Sequence, residues 1–299
     1  MYAYAEFLRR TGRDAIAAIS GIPSKEALFV MRKFRIRKPS GAEALISRHP
    51  DVIIVDVSSV RNISSRISPE SVIEVIDHRK VNYAHEFPKA KVQIEQVGTA
   101  ATLIAEKFFS RRLKPSRESA ILLYSAIISN TVNFRANVAT GRDRKMAAWL
   151  KGQIKLPPNF VHEMFAAKSR FDARDLRQVL ENDSFTYDFA GKKVSVAQLE
   201  IIAADKFISR NIGRIMEILK GLKEKNGADM AFLTCIDIEA GFNLLVAIDE
   251  DTKNILEKAL KVRFEGSVAR RKGIIMRKEI LPLIKEILEK NPKHNPARI

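Results

Sequence analysis

Apolar positions along the 299 residues fall into two alternating patterns. Short runs with little polar interruption, VIIV (52–55) and VIEVI (72–76), suit buried strands of a parallel sheet, and VQIEQV (92–97) reads as a further strand. Between and after them, apolar residues recur three and four apart, the helical spacing. Tyr2 to Arg10 forms one such stretch, with Gly12 placed to end it. AIAAIS (15–20) reads as a strand, Ser24 caps a helix through Phe34, and GAEALISR (41–48) predicts another short helix. TAATLIAEKFF (99–109), ESAILLYSAIIS (118–129) and Asp143 to Lys151 are helical. This alternation predicts a doubly wound parallel sheet of the α/β class.

The grammar changes after Pro157 and Pro158. A helical segment from Phe160 to Lys168 precedes SRFDARD (169–175), which reads as a linker. Then come a helix near Asp175 to Leu180, strands FTYDFA (185–190) and KVSVAQLE (193–200), and an amphipathic helix from Asn211 to Lys225. Strands MAFLTCIDI (230–238) and NLLVAID (243–249) follow, then a helix from Thr252 to Leu260. Gly266 opens a basic turn, VARRKGI (268–274), and a last helix leads to a proline-containing tail, EKNPKHNPARI (289–299), expected to fray. The expected domains are 1–168, and a smaller α+β domain with a mixed sheet at 175–299. No internal repeat is visible.

Composition narrows the function classes. The 52 Lys and Arg against 35 Asp and Glu leave a formal charge of +17, which favours phosphate-rich partners, small or polymeric. A single cysteine, Cys235, excludes an internal disulfide and a multi-cysteine zinc site, and a reducing compartment follows. The longest apolar run, AILLYSAII (120–128), is too short to cross a bilayer, and the first residues lack the apolar core of a signal peptide. The expected location is the cytoplasm, with no membrane partner.

Candidate chemistry sits at strand ends. Asp56 follows VIIV, and Asp77, His78 and Arg79 follow VIEVI, at the carboxyl ends where open α/β sheets bind ligands. Gly98 to Thr102 opens a helix, so free backbone N–H groups could face an anion there; a well-capped helix start reads equally well. His49, His85, His162 and His294 have no metal-ligand spacing and read as surface or packing residues.

IIVDVSS (53–59), VIEVIDHRKVNY (72–83), QVGTAATLIAEKF (96–108), LLYSAIISNTVNF (122–134), GKKVSVAQLE (191–200) and GSVARRKGI (266–274) come in an order and spacing that resemble the family II, manganese-dependent inorganic pyrophosphatases. These belong to the Asp-His-His (DHH) phosphoesterase superfamily and carry a DHHA2 C-terminal domain. The resemblance implies hydrolysis of pyrophosphate or a related phosphoanhydride, Mn²⁺ (or Mg²⁺ or Co²⁺) as cofactor, and a homodimer. It implies that Asp56 bridges metals, that His78 ligates one, and that Asp77 is the acid preceding the histidines. Arg270 would hold substrate phosphate, with Arg271 and Lys272 adding charge beside it, although an exposed turn explains that run equally well.

Several positions depart from the family pattern. Its first motif, His-x-x-x-Asp-x-Asp, has no counterpart, because Tyr2 to Arg10 reads as the helix that follows that motif. The expectation is either an upstream start about twenty residues earlier or a rearranged sheet that compensates for the missing first strand. The family's second histidine is Arg79, its late ligand aspartate is Asn130, and a substrate lysine position falls on Tyr187. Three readings follow: a metal-dependent phosphohydrolase; a catalytically degenerate relative that binds a phosphorylated anion or nucleotide through Arg79, Arg270, Arg271 and Lys272; and, last, a nucleic-acid-binding protein. No nucleic-acid motif or aromatic stacking platform supports the third. No catalytic residue is assigned, and a chain without cofactor accompanies the second reading.

Overall fold

The computed structural model describes residues 1–60, 63–78, 83–170 and 175–290. Its backbone forms two compact units, Met1–Ala167 and Lys168–Ile299. The first contains α1 (Tyr2–Arg10), β1 (Ala18–Ile19), α2 (Lys25–Phe34), β2 (Ser40–Gly41), β3 (Val52–Val55), β4 (Val72–Asp77) and β5 (Lys91–Ile94). Helices α3 (Ala100–Ser110), α4 (Arg117–Asn130), α5 (Gly141–Lys151) and α6 (Phe160–Lys168) complete it, the last reaching the unit boundary. Strands β3, β4 and β5 pair in parallel in chain order, and β1 and β2 form a separate parallel pair. Val72, Val75 and Ile76 of the middle strand are fully buried, as an apolar run paired on both edges should be.

Side-chain caps set where the helices start. Ser24 accepts from the Ala27 N–H at α2. At α4, Ser116 accepts from the Ser119 N–H, while its own N–H and hydroxyl donate to Glu6 of α1 at 2.8 and 2.6 Å. The start of α4 is therefore tied to the middle of α1. At α5, Thr140 and Asp143 form a reciprocal capping box. Asp143 is fully buried and accepts far more than the box requires. The Gly98 N–H reaches its two oxygens at 3.1 and 3.0 Å, the Thr102 hydroxyl donates at 2.5 Å, and the Thr140 N–H and hydroxyl donate at 2.7 and 2.6 Å. A Cβ at residue 98 would come 2.5 Å from Thr131 Cγ2, so only glycine lets the backbone approach this carboxylate.

The second unit contains α7 (Leu176–Asn182), β6 (Ser184–Phe189), β7 (Lys192–Ile201), α8 (Ala204–Lys225), β8 (Met230–Asp237), β9 (Phe242–Ala247), α9 (Glu250–Leu260), β10 (Phe264–Glu265), β11 (Val268–Lys272) and α10 (Arg277–Lys290). Its six strands lie in the order β10-β11-β9-β8-β7-β6, with β7 and β8 parallel and the other pairs antiparallel. The sheet is mixed, as its sequence implies. Two apolar clusters form around it, one centred on Ile215, Leu219 and Leu233, the other on Phe232, Leu245 and Ile280. Cys235 is buried in β8, where desolvation pushes its thiol pKa far up and leaves it inert.

Four sequence expectations change. The basic segment from Val268 is a strand, not a turn: it pairs along β9, and only Gly266, at φ +62°, makes the turn. AIAAIS contributes only the two residues that pair with Ser40 and Gly41, and GAEALISR a single 3₁₀ turn at Ala42–Ala44, a run too short to offset the cost of nucleating an α-helix. Helix α8 begins at Ala204 rather than Asn211; the Ala204 N–H donates to Asp237, so a carboxylate from another strand holds the helix start. The linker residues 171–174 and the tail from residue 291 lie outside the described residues.

Replacing Asp143 with Ala would leave buried donors at Gly98, Thr102 and Thr140 without their acceptor. Each such loss costs about 1–3 kcal/mol, so urea unfolding of D143A should show a loss of at least ~3 kcal/mol. A loss below ~1 kcal/mol would show that the carboxylate is dispensable.

Candidate metal centre

The site starts where β3 ends. The Asp56 N–H still donates to the Ile76 carbonyl at 2.8 Å, but its φ of +69° turns the chain out of the strand. A left-handed residue other than glycine costs ~1–2 kcal/mol, less for aspartate than for most, and such outliers concentrate at functional sites. Beside it β4 delivers Asp77, fully buried, whose Oδ1 accepts from the His78 N–H at 2.7 Å.

The orientation of His78 follows from one contact. Its Nδ1 lies 3.0 Å from the Val97 carbonyl, which can only accept, so Nδ1 carries the hydrogen and Nε2 of the neutral ring presents its lone pair. That nitrogen is 3.3 Å from Asp56 Oδ1, an oxygen shielded from solvent and lacking any partner of hydrogen-bonding geometry. Two lone-pair donors at this distance call for a cation, either a proton on the imidazole or a metal ion. Burial is the largest influence on the His78 pKa and lowers it. Asp56, the Val97 carbonyl and Asp77 together outweigh burial and hold the pKa above the ordinary histidine value.

Asp56, Asp77 and His78 each offer one ligand atom, and these atoms lie within 4.8 Å of one another, the one such group among the described residues. Carboxylate oxygens with an imidazole nitrogen are the donors that Mn²⁺ or Co²⁺ accept, and the orphaned Asp56 oxygen fits such an ion. Asp77 thus stands among the candidate ligands. A cleft of about 510 Å³ adjoins Asp56 and is lined by Asn130, Thr99, Ser129 and Glu26 over apolar Val30 and Ile104. The Asn130 amide donates to Thr99 Oγ1 and the Ala126 carbonyl, each at 3.1 Å, leaving its neutral carbonyl oxygen as its one ligand atom. After Asn130, Val132, Asn133 and Phe134 all have positive φ. This tight turn is held by Asn133 N–H to Ile128 O at 2.8 Å and by Phe134 N–H to Thr131 Oγ1 at 3.1 Å.

The anion cradle expected at Gly98 is already filled by the protein's own anion, Asp143, because the Gly98 N–H points inward to it. Asp143 and the Val97 carbonyl are the supporting groups that sequence reasoning missed, although Thr140-x-x-Asp143 is a readable capping-box signature. His49 and His85 are exposed and stand apart from the group; His294 lies outside the described residues.

Arg79 also lies outside the described residues. Arg270, Arg271 and Lys272 belong to the second unit, on β11. Arg270 stacks on Phe242, its guanidinium 3.6 Å from the ring centre, and meets both oxygens of Asp205 at 2.8 and 2.9 Å. Arg271 donates to the carbonyls of Lys272 and Gly273, both at 3.1 Å. Tyr187, on β6, packs against Phe189 with ring centres 6.1 Å apart.

Residues 162–287 match the DHHA2 domain. The probable manganese-dependent inorganic pyrophosphatase of Clostridium acetobutylicum is 26% identical over 292 residues, covering 96% of this chain and 92% of that protein. The cobalt-dependent inorganic pyrophosphatase of Clostridium perfringens is 30% identical over 250 residues, which span 82% of this chain and 45% of the longer relative. A crystal structure of a putative family II inorganic pyrophosphatase from Methanococcus jannaschii superposes with a TM-score of 0.70 at 27% identity, covering 95% of this chain and 93% of that one. With its parallel first sheet, its mixed second sheet and an Asp-His cluster at the strand ends, the chain belongs to the family II, manganese-dependent inorganic pyrophosphatases of the DHH superfamily.

Proposed function

We propose that the chain is a phosphohydrolase of inorganic pyrophosphate or a related phosphoanhydride, dependent on Mn²⁺ or Co²⁺. The observation that carries this reading is the shielded, unpartnered Asp56 oxygen facing the lone pair of His78 Nε2, with Asp77 within ligand reach. Asp56, Asp77 and His78 would hold the ion, with Val97 fixing the imidazole so that the correct nitrogen faces it. Such an ion supplies Lewis acidity toward phosphoryl oxygens and water. Arg270 is suited to phosphate. Its pair with Asp205 is half-exposed on both sides and worth about 0–1 kcal/mol, so a phosphate could replace that carboxylate at little cost, with the fork kept flat on Phe242.

A second reading, anion or nucleotide binding without efficient hydrolysis, rests on Asn130. Its amide hydrogens are committed to Thr99 and Ala126, so it offers a neutral oxygen where the family has a carboxylate. Arg79 would then supply cationic charge that a second metal supplies elsewhere.

Turnover of pyrophosphate with Mn²⁺, Co²⁺ and Mg²⁺, together with the metal content of the purified protein, separates the two. Phosphate release at about 1–10³ per second with Mn²⁺ or Co²⁺ is the expected result; tight pyrophosphate binding without release selects the second reading. In calorimetry, D56N and H78A should each weaken Mn²⁺ binding at least about tenfold, since even groups behind the ligands contribute 10–100-fold. Unchanged affinity would place the ion elsewhere. R79A should weaken pyrophosphate binding by about 1.5–3 kcal/mol, the scale of a charged hydrogen bond, with little effect on folding; unchanged affinity would make Arg79 a bystander.

A further inference from the structure

The positive charge of this protein is unevenly distributed. The first unit holds 27 Lys and Arg against 15 Asp and Glu, a net +12, whereas the second, with 25 against 20, carries +5. Within the first unit the helices sort that charge by direction. The Asn130 end of α4 touches Thr99 beside α3's start, Ser129 meets Glu26 at the start of α2, and Asp143 at the start of α5 meets Gly98. These ends adjoin the Asp56 cleft. At the far pole, Arg10 at the end of α1 donates to the Lys114 carbonyl, Arg117 at the start of α4 stacks on Phe34 at the end of α2, and Phe109 of α3 meets Trp149 of α5.

That far pole is strongly basic. Arg32, Arg37 and Lys38 on and after α2, and Arg111, Arg112 and Lys114 between α3 and α4, are all exposed, and none has a carboxylate partner among the described residues. Lys151 and Lys155 extend the patch past α5. Of the acids on these segments, Glu6 is committed to Ser116 and Arg10, and Glu163 to Lys33. Only Asp14 and the half-buried Glu118 dilute the charge. Cations favour helix C-termini, which accounts for one or two per helix, but the gathering of three helix ends into one unneutralised face exceeds that preference.

We propose that this pole docks the phosphate backbone of double-stranded nucleic acid, a property that goes beyond the phosphohydrolase reading and is independent of it. Neighbouring helices pack at about 8–10 Å, so three of them make a face about 20 Å wide, enough to meet phosphates on both sides of a groove. Half of these eight cations are arginines, whose planar guanidinium suits phosphate oxygens better than a point charge does. A membrane surface fits less well, because the exposed large apolar side chains here among the described residues are Ile16, beyond the end of α1, and Phe109, and Phe109 is packed against Trp149 and capped by Lys145. The same covering removes Phe109 as a stacking platform for single strands. Binding here would leave the Asp56 cleft open.

The test is fluorescence anisotropy of a labelled 20-base-pair duplex from 50 to 200 mM KCl. Wild type should bind with a steep salt dependence. The variant R37Q/K38Q/R111Q/K114Q should bind at least about tenfold more weakly at 100 mM, with its log–log salt slope reduced by about 2–4. A control that removes equal charge from the second unit, K206Q/R210Q/K220Q/K258Q, should stay within about twofold of wild type. R32Q/K151Q/K155Q gives an independent variant of the same pole, and urea unfolding confirms that each protein is folded. Absence of duplex binding at 50 mM KCl would overturn the proposal, as would equal loss in patch and control variants. Patch-dependent binding to vesicles of 70% phosphatidylcholine and 30% phosphatidylserine without duplex binding would also overturn it.

Discussion

Burying the Asp143 carboxylate constrains the first unit more than any other single group does. A charge with no solvent exposure is tolerable only when donors surround it, and here the donors come from three places in the chain: Gly98, Thr102 and the Thr140 turn. Meeting that requirement fixes the loop after β5 against the starts of α3 and α5. The consequence reaches the candidate metal centre, because Val97 immediately precedes Gly98 and its carbonyl sets the His78 tautomer. A carboxylate with no ligand role thereby helps to decide which nitrogen faces Asp56. Gly98 is the hinge of this chain of dependence, since Thr131 leaves no room for a side chain there.

The sequence made β3, β4 and α3 to α5 of the first unit legible, because the strands are short apolar runs and the helices keep a helical period between capping residues, whereas AIAAIS and GAEALISR read as longer elements than they form. Asp56, Asp77 and His78 were legible by position, at the ends of those runs. Three features were not. The β11 strand carries Arg270, Arg271 and Lys272, a composition that local propensity assigns to a turn, and it is a strand because β9 supplies its hydrogen-bond partners. The start of α8, about two turns earlier than its sequence suggests, is held by Asp237, a contact 33 residues away that no local window contains. At Gly98 the sequence allowed for an external anion, but the anion is Asp143, and only the fold reveals that a residue 45 positions later fills the space.

Charge is sorted along the helices of the first unit by the same rule that orients them. Parallel strands put their carboxyl ends at one pole, and there the chain places carboxylates and an imidazole, Asp56, Asp77 and His78, a set that attracts cations. Helices that return toward the other pole end in Arg and Lys, where the dipole favours them and where few acids answer. The two poles therefore have opposite electrostatic needs. Around Asp56 and His78, stability requires that a cation be brought in, as a proton or as a metal, whereas the far pole is already over-supplied with cations and lowers its self-repulsion by meeting anions. Asn130 bears on the first of these balances alone: it lines the cleft beside Asp56 as a neutral amide and so adds no negative charge there. In the proposed phosphohydrolase, an ion held by Asp56, Asp77 and His78 would not draw on Asn130 for charge, so binding of one ion would be separable from assembly of any second metal site.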